Sequence, residues 1–172
     1  MDLNNKVIWI TGASSGIGEA LAYACAKEGA RLVLSARREN ELKRVAEACA
    51  IDPGNMLVLP LDLENTVGID AKVELVTNTF GRIDVLINNS GMGHRTKAVN
   101  TSTGIDRKIM EVNFFGTINL TKAVARKMQE QKSGKIVVIP SIMGRYVLPL
   151  YSTYSAAKHA LDGSFEWERQ EL

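Results

Sequence analysis

Short apolar runs alternate with longer helical patterns along this chain, and this alternation restricts the possible folds more than any other feature. Five runs have the composition of strands: 7–10, 31–35, 56–59, 83–87 and 136–139. The runs are mainly apolar and do not alternate with polar residues, which is typical of strands in a parallel sheet that is covered on both faces. Right-handed crossovers between such strands predict a doubly wound α/β sheet.

Helical patterns fill the intervals between the strands. They cover residues 16–28, 39–50, 67–80, 104–131 with an interruption at Gly116, and 152–172. The length of 172 residues suits a single domain over 1–172. A hydrophobic fraction of 45% excludes disorder, and a net charge of only +2 without a basic stripe gives no reason to expect nucleic acid. No apolar run approaches the ~20 residues of a membrane span.

The N-terminus lacks the charged and then apolar pattern of a signal peptide. Two cysteines, Cys25 and Cys49, are too few for a disulfide framework. His94 and His159 have no metal-ligand partners at useful spacing, so no metal is expected. A cytoplasmic protein of a reducing compartment is the resulting expectation.

A glycine-rich turn follows the first strand and reads Thr-Gly-Ala-Ser-Ser-Gly-Ile-Gly over residues 11–18. Gly12 can adopt turn dihedral angles, Gly16 leaves room for a pyrophosphate, and Gly18 lets the next helix pack close to the sheet. The N-terminus of that helix supplies N–H donors for phosphate. A turn without a ligand is the alternative, but its place between strand and helix favours a Rossmann-like dinucleotide site. The candidate cofactor-binding residues here are Gly12, Ser14, Ser15, Gly16, Ile17 and Gly18.

Two arginines follow the second strand, where sheets of this type contact the adenine ribose of the cofactor. An acidic residue about 20 residues after the glycines binds a free 2′-hydroxyl, whereas an arginine accommodates a 2′-phosphate. Arg37 lies 19 positions after Gly18, and Arg38 follows it. A guanidinium binds phosphate through paired hydrogen bonds. The sequence therefore favours NADP(H) over NAD(H); alternatively, one or both arginines are solvated charges paired with Glu39 or Glu41.

Four further motifs follow in order along the chain. Asp62-Leu63 follows the third strand, Asn88-Asn89-Ser90-Gly91 the fourth, Asn113 lies in the long helical pattern, and Ser141 precedes Tyr154-Ser155-Ala156-Ala157-Lys158. With the glycine turn, these motifs make nearly the whole chain resemble the short-chain dehydrogenase/reductase superfamily. The resemblance implies the catalytic residues Asn113, Ser141, Tyr154 and Lys158, and cofactor contacts from Asp62, Leu63, Asn89, Gly91, Tyr154 and Lys158.

The chemistry of carbonyl reduction explains why these residue types occur together. Reduction needs a hydride, which the nicotinamide supplies because no side chain can, and a proton, which the resemblance assigns to Tyr154. Lys158 lies one helical turn further on, so it faces the same side, and its positive charge favours tyrosinate. The resemblance also implies that Ser141 hydrogen-bonds the substrate oxygen, that Lys158 binds the nicotinamide ribose, and that Asn113 holds a water leading from Lys158 to solvent.

Each of these residues also has a purely structural interpretation. A Tyr–Lys pair four residues apart is commonly only a contact on a helix surface. Asp62 can cap the turn after the third strand, Asn89 can bond backbone across strands, and Asn113 can satisfy a break in its helix. The serine at the family's spacing favours the catalytic interpretation of Tyr154 and Lys158.

The sequence departs from the family's pattern in two ways. Pro140 stands where the family often has a serine, although a proline suits a strand end. Members of the family are longer and continue with two more strands, a substrate-covering loop and another helix. We therefore expect the domain to be C-terminally incomplete, with the fifth strand as an exposed edge. Such a chain is expected to bind cofactor poorly and to turn over substrate slowly or not at all.

These observations predict an NADP(H)-dependent oxidoreductase that interconverts the carbonyl and the secondary alcohol of a small or lipophilic molecule. The alternative is a cofactor-binding protein without catalysis, or a truncated inactive remnant of such an enzyme. In the family, the long helix and the helix that carries the Tyr–Lys pair contact their copies in another subunit. The resemblance therefore implies a homodimer or homotetramer through residues 104–131 and 152–172.

Overall fold

A computed structural model describes the backbone of residues 2–171 and the side chains of residues 2–165. Its sheet consists of β1 (Val7–Thr11), β2 (Arg31–Ser35), β3 (Met56–Val58), β4 (Val85–Asn88) and β5 (Lys135–Val138). The strand order is β3-β2-β1-β4-β5, and every neighbouring pair is parallel. The predicted fold class, a doubly wound parallel sheet of five strands, is confirmed.

Helices connect the strands as the sequence pattern predicts. They are α1 (Gly16–Lys27), α2 (Glu39–Cys49), α3 (Ile69–Phe80), α4 (Thr103–Met110), α5 (Gly116–Glu130) and α6 (Ser152–Glu171). A π-helical segment, Glu111–Phe115, joins α4 to α5, and short 3₁₀ turns occur at Pro53–Asn55, Ala98–Asn100 and Ile142–Gly144. Within the described residues, no helix is long and apolar enough to cross a membrane. Leu172, the last residue of the predicted final helix, lies outside the described residues.

Two apolar clusters cover the two faces of the sheet. Trp9 of β1 is fully buried with residues of α3 and α5, and its indole N–H donates to the Ser35 hydroxyl at 2.9 Å. Ile8 and Ile10 of the same strand point to the opposite face and pack against α1 and α2. Both faces of β1 are covered, which accounts for the unbroken apolar run at residues 7–10. The edge strands β3 and β5 are only partly buried.

The strand order changes direction at β1, whose neighbours are β2 on one side and β4 on the other. In open α/β sheets, ligands bind in the crevice beyond the carboxyl ends of the strands at such a switch point. The glycine turn after β1 and the loops after β2, β3 and β4 all lie at this edge because the strands are parallel. The topology therefore brings the predicted motifs to one place.

The long helical pattern is interrupted earlier than the sequence predicted. The break is the π-helical segment Glu111–Phe115, and Gly116 is the first residue of α5. A Cβ atom at Gly116 would lie 2.1 Å from the Leu63 carbonyl oxygen. The lack of a side chain at Gly116 therefore allows the start of α5 to pack closely against the loop after β3. The helix break itself is centred on Asn113.

Candidate active site

A cavity of about 430 Å³ lies at the switch point of the sheet. Ten of the residues predicted from the sequence to bind cofactor line it: Gly12, Ser14, Ser15, Ile17, Arg37, Arg38, Asp62, Leu63, Asn89 and Gly91. Ala36, Leu61, Ser90 and Val112 line it as well. The sequence analysis did not select these four, although each is a chain neighbour of a predicted residue. Gly16, Gly18 and the four predicted catalytic residues are not part of this lining.

The glycine turn has the geometry that a bound phosphate requires. Gly12 and Gly16 have φ angles of +66° and +60°, in the left-handed region that favours glycine. A Cβ atom at Gly18 would lie 2.3 Å from the Gly12 carbonyl oxygen, so only glycine allows α1 to approach this closely. A Cβ atom at Gly16 would meet nothing within 4 Å. The space beside Gly16 and the N-terminus of α1 together fit a pyrophosphate.

Asn89 connects the glycine turn to the loop after β4. Its amide nitrogen donates to the carbonyl oxygens of Thr11 and Gly12, at 3.1 and 3.3 Å. The Thr11 hydroxyl in turn accepts hydrogen bonds from the backbone N–H groups of Asn89 and Ser90. The structural interpretation of Asn89 therefore holds alongside its place at the cavity wall. Through these hydrogen bonds Thr11 holds the loop after β4 against the glycine turn, and the sequence analysis did not select this residue.

The two arginines lie exposed at the mouth of the cavity. Arg38 donates to the hydroxyls of Ser14 and Ser15, at 3.3 and 3.2 Å, and so bridges the end of β2 and the glycine turn. The suggested pairing with Glu39 or Glu41 is not observed. Glu39 pairs with Lys43, and Glu41 pairs with Arg44.

Asp62 combines the two roles considered for it. Its carboxylate accepts a hydrogen bond from the Glu64 backbone N–H at 3.0 Å, which caps the turn after β3. The same residue lines the cavity together with Leu63.

Asn113 lies at the centre of the π-helical segment and is fully buried. Its amide nitrogen donates to the carbonyl oxygens of Met92 and Ile109, at 2.8 and 2.9 Å, and its oxygen accepts from the Met92 N–H at 3.0 Å. The side chain thus satisfies the helix break and also fixes the loop after β4. π-Helical turns are frequent at functional sites.

Tyr154 and Lys158 lie one turn apart on α6, with the Lys158 ammonium 5.8 Å from the centroid of the Tyr154 ring. Lys158 is only 6% exposed. Burial lowers the pKa of the Lys158 ammonium below its usual range, and the Asp162 carboxylate acts in the opposite direction. A Cβ atom at Gly91 would lie 3.9 Å from the Lys158 nitrogen and 3.0 Å from the Asn113 oxygen. Gly91 therefore marks the point where the cavity meets these two side chains.

Ser141 begins the 3₁₀ turn that follows β5. Its hydroxyl accepts a hydrogen bond from the Met143 N–H at 3.2 Å, and its carbonyl accepts one from the Gly144 N–H at 2.8 Å. The turn packs on α6, because a Cβ atom at Gly144 would lie 3.4 Å from the Lys158 carbonyl oxygen. Pro140 lies two residues after Val138, the last residue of β5 that pairs with β4. The absence of an N–H group at Pro140 therefore leaves no hydrogen bond of the sheet unmade.

The arrangement therefore has two parts that meet at Gly91. One is a polar cleft with phosphate-binding geometry, and the other is a buried lysine beside a tyrosine and an asparagine. Among the described residues, no group of three or more His, Cys, Asp or Glu side chains could hold a metal ion.

Comparison with known proteins shows which family the chain belongs to. A sequence profile described as "short chain dehydrogenase" matches residues 6–172. The chain belongs to the short-chain dehydrogenase/reductase family. The resemblance that the sequence motifs carried is thereby confirmed.

Curated members of the short-chain dehydrogenase/reductase family from animals resemble the chain along 99% of its length. A human protein named "Dehydrogenase/reductase SDR family member 7" is 49% identical, and 52% of its own length is covered. "Dehydrogenase/reductase SDR family protein 7-like" of Anopheles gambiae is 44% identical, with 55% of its length covered. The chain thus spans about half the length of the curated relatives it matches.

Solved structures of this family superimpose closely on the chain. A short-chain dehydrogenase from Streptomyces avermitilis is 34% identical with a TM-score of 0.91, and covers 99% of this chain and 62% of its own. A metagenomic short-chain oxidoreductase in complex with NADP is 31% identical with a TM-score of 0.93, over 100% of this chain and 78% of its own. A Burkholderia phymatum enzyme in complex with NAD is 28% identical, with a TM-score of 0.94.

Proposed function

We propose that the protein is an NADP(H)-dependent oxidoreductase that interconverts a carbonyl and a secondary alcohol through Tyr154, Lys158, Ser141 and Asn113. The observation that carries this proposal is the buried Lys158 beside the Tyr154 ring, at the point where the cavity reaches Gly91. A buried ammonium next to a tyrosine is costly for stability, and its position behind Gly91, at the end of the cleft, suits catalysis.

Tyr154 is the proton donor of reduction in this proposal. Its O–H donates to the carbonyl oxygen of the substrate, and the developing tyrosinate is stabilised by the nearby Lys158 ammonium. In the oxidation direction the tyrosinate accepts the proton of the alcohol. Lys158 has a second role in the proposal, which is to donate to the ribose hydroxyls of the bound cofactor.

Ser141 and Asn113 support this pair. The Ser141 hydroxyl donates to the same substrate oxygen and stabilises the charge that develops there. Asn113 fixes the Met92 backbone and thereby the loop that carries Gly91 beside Lys158. A water leading from Lys158 to solvent remains a prediction for the Asn113 region.

NADP(H), when bound, supplies or accepts the hydride. Solved relatives are described in complex with NADP and with NAD. The proposed preference for NADP(H) rests on this chain's own Arg37 and Arg38, which lie at the cavity mouth without carboxylate partners among the described residues. Ser14 and Ser15 hold the Arg38 guanidinium in place, which reduces the entropy lost when a phosphate binds.

The substrate in this proposal is a small or lipophilic carbonyl compound. Its support is apolar exposure next to Ser141, where Ile142 is 69%, Tyr146 66% and Val147 74% exposed. The cytoplasmic location and the homodimer or homotetramer through residues 104–131 and 152–172 stay predictions.

The catalytic proposal is tested by turnover in a chimera in which residues 1–172 continue into the C-terminal part of the human relative. Tyr154→Phe removes the proton donor, and we expect kcat to fall by at least about 10²-fold. Tyr151→Phe is the matched control, because its ring only contacts that of Tyr154 at 6.3 Å. Equal activity of the Tyr154→Phe protein and the parent would refute the proposed role.

Cofactor binding without turnover by residues 1–172 alone is the second candidate function. The observation that favours it is the position of β5 at the edge of the sheet, with the exposed apolar segment after Ser141 beside it. Turnover by the 172-residue chain equal to that of the chimera would exclude this candidate.

A further inference from the structure

Asp162 lies on α6, one helical turn after Lys158 and two turns after Tyr154. Residues four apart on a helix share a face, so the three side chains form a row. Within the described residues, the Asp162 carboxylate accepts no hydrogen bond and forms no ion pair. It lines a second cavity, of about 410 Å³, between the end of β5 and α6.

The Asp162 carboxylate is packed against the turn that carries Ser141. A Cβ atom at Gly144 would lie 2.5 Å from the Asp162 Oδ2 atom and 3.2 Å from its Cγ atom. Gly144 is buried and is the last residue of the turn that Ser141 begins. The absence of a side chain at Gly144 therefore allows the carboxylate to sit between this turn and the helix.

The electrostatic surroundings of Lys158 depend on Asp162. Burial of the Lys158 side chain opposes its charged form, and the negative charge of Asp162 favours it. The groups placed around Lys158 and its helix include Tyr154 and Asp162 on α6, the uncharged Gly91 and Asn113, and Arg145 after the turn at Gly144. A second carboxylate, that of Asp106 on α4, accepts a hydrogen bond from the Thr153 hydroxyl on α6. The charge of Asp162 thus opposes the effect of burial on the Lys158 pKa, although burial remains the larger effect.

We propose that Asp162 is a positioning residue of the active site, which places a negative charge one helical turn from Lys158 and holds the turn after Ser141 against α6. It acts through Lys158 and does not touch substrate or cofactor. This inference rests on the proposed function for its catalytic meaning, since the reaction needs the Lys158 charge beside Tyr154. The ionisation of Lys158 itself is measurable whether or not the chain turns over.

The test is an NMR titration of the 172-residue chain labelled with ¹³C at the lysine side chains. The Lys158 signal is assigned by its loss in Lys158→Arg. In Asp162→Asn, we expect the pH midpoint of Lys158 to shift to lower pH, because burial then acts without the opposing charge. Asp162→Glu keeps the charge and is expected to restore most of the midpoint.

Asp70→Asn is the matched control. It removes the same charge from an exposed position on α3, where Asp70 pairs with Arg126. An unchanged Lys158 midpoint in Asp162→Asn, or an equal shift in Asp70→Asn, overturns the proposal. If circular dichroism shows that Asp162→Asn does not fold, the Lys158 midpoint is measured in Gly144→Ala instead. The added methyl group there must displace the Asp162 carboxylate. An unchanged Lys158 midpoint in Gly144→Ala also overturns the proposal.

Activity separates this inference from the proposed function. In the chimera, we expect Asp162→Asn to move the alkaline limb of the kcat profile to lower pH and to leave the KM for NADPH nearly unchanged. A shifted NMR midpoint together with a chimera that shows no oxidoreductase activity would refute the proposed function and leave the electrostatic role of Asp162 intact.

Discussion

Two regions of the molecule differ in how completely the fold supports them. The nucleotide half, residues 7–92, is built on β1 to β4; every residue of β1 is buried, and only β3 is a partly buried edge strand. The catalytic edge, residues 135–165, is built on β5, which lies at the edge of the sheet and exposes Val137 by 40%. The comparison teaches that the cofactor cleft is enclosed by core elements, whereas the Ser141 turn depends mainly on its packing against α6.

The largest contrast is expected in stability. Trp9→Ala removes a fully buried ring from the core of the nucleotide half, and we expect the free energy of unfolding to fall by about 3–5 kcal/mol. Val137→Ala removes a partly exposed side chain at the catalytic edge and should cost under about 1 kcal/mol. Urea denaturation of both variants measures the difference, and similar losses would contradict the contrast.

A smaller loss of unfolding free energy is expected from a substitution in the glycine turn. Gly18→Ala places a methyl 2.3 Å from a backbone oxygen that cannot easily move, so we expect a loss of about 1–3 kcal/mol in unfolding free energy and weaker binding of NADPH. Gly163→Ala on α6 is the control, since its added Cβ meets nothing within 4 Å. Unimpaired NADPH binding in Gly18→Ala would argue against the close approach of α1 to the sheet.

The smallest effect concerns the surface contact between α1 and α2. Hydrogen bonds from Arg44 and Tyr23 lower the pKa of Glu19 from 4.5 to about 2. Because the folded pKa is depressed, the contribution is complete above the unfolded value and is lost as pH falls from about 4.5 towards 2. Arg44→Met should therefore lose less stability than the parent between pH 5 and pH 3.

Urea denaturation at these two pH values checks the Glu19 prediction. Arg126→Met, which removes the exposed pair with Asp70, is the control and should keep the parent's pH dependence. If Arg44→Met and Arg126→Met lose the same unfolding free energy between pH 5 and pH 3, the hydrogen bonds to Glu19 do not determine how stability falls in acid.

The sequence predicted the nucleotide half in most of its detail because short-range signals determine it. Apolar runs define the strands, and the glycines at 12, 16 and 18 define the turn, with local conformations that glycine readily adopts. The five strands were predicted to within two residues at each end. The cavity residues missed, such as Ser90 and Val112, are chain neighbours of residues that were found.

The features that the sequence did not show depend on contacts between distant segments. The sequence analysis placed the helix break at Gly116, because glycine is a strong local signal, and named Asn113 only as a residue that could satisfy a break. The observed break is centred on Asn113, whose side chain bonds to Met92, 21 residues away, and that partner was not predicted. The four-residue spacing of Asp162 from Lys158 is a local signal that the sequence analysis did not use. The packing of Asp162 against Gly144, in contrast, follows from how the turn after β5 lies on α6. Local periodicity carries no information on such pairings.

The most direct test of the account is a fluorescence titration of the 172-residue chain with NADPH and, in parallel, with NADH. We predict saturable binding of NADPH that is tighter than binding of NADH, weaker than NADPH binding by the chimera, and reduced towards the NADH level in the double variant Arg37→Ala/Arg38→Ala. Equal affinity for the two cofactors, unaffected by loss of the arginines, would contradict it, as would no binding by a chain that circular dichroism shows to be folded.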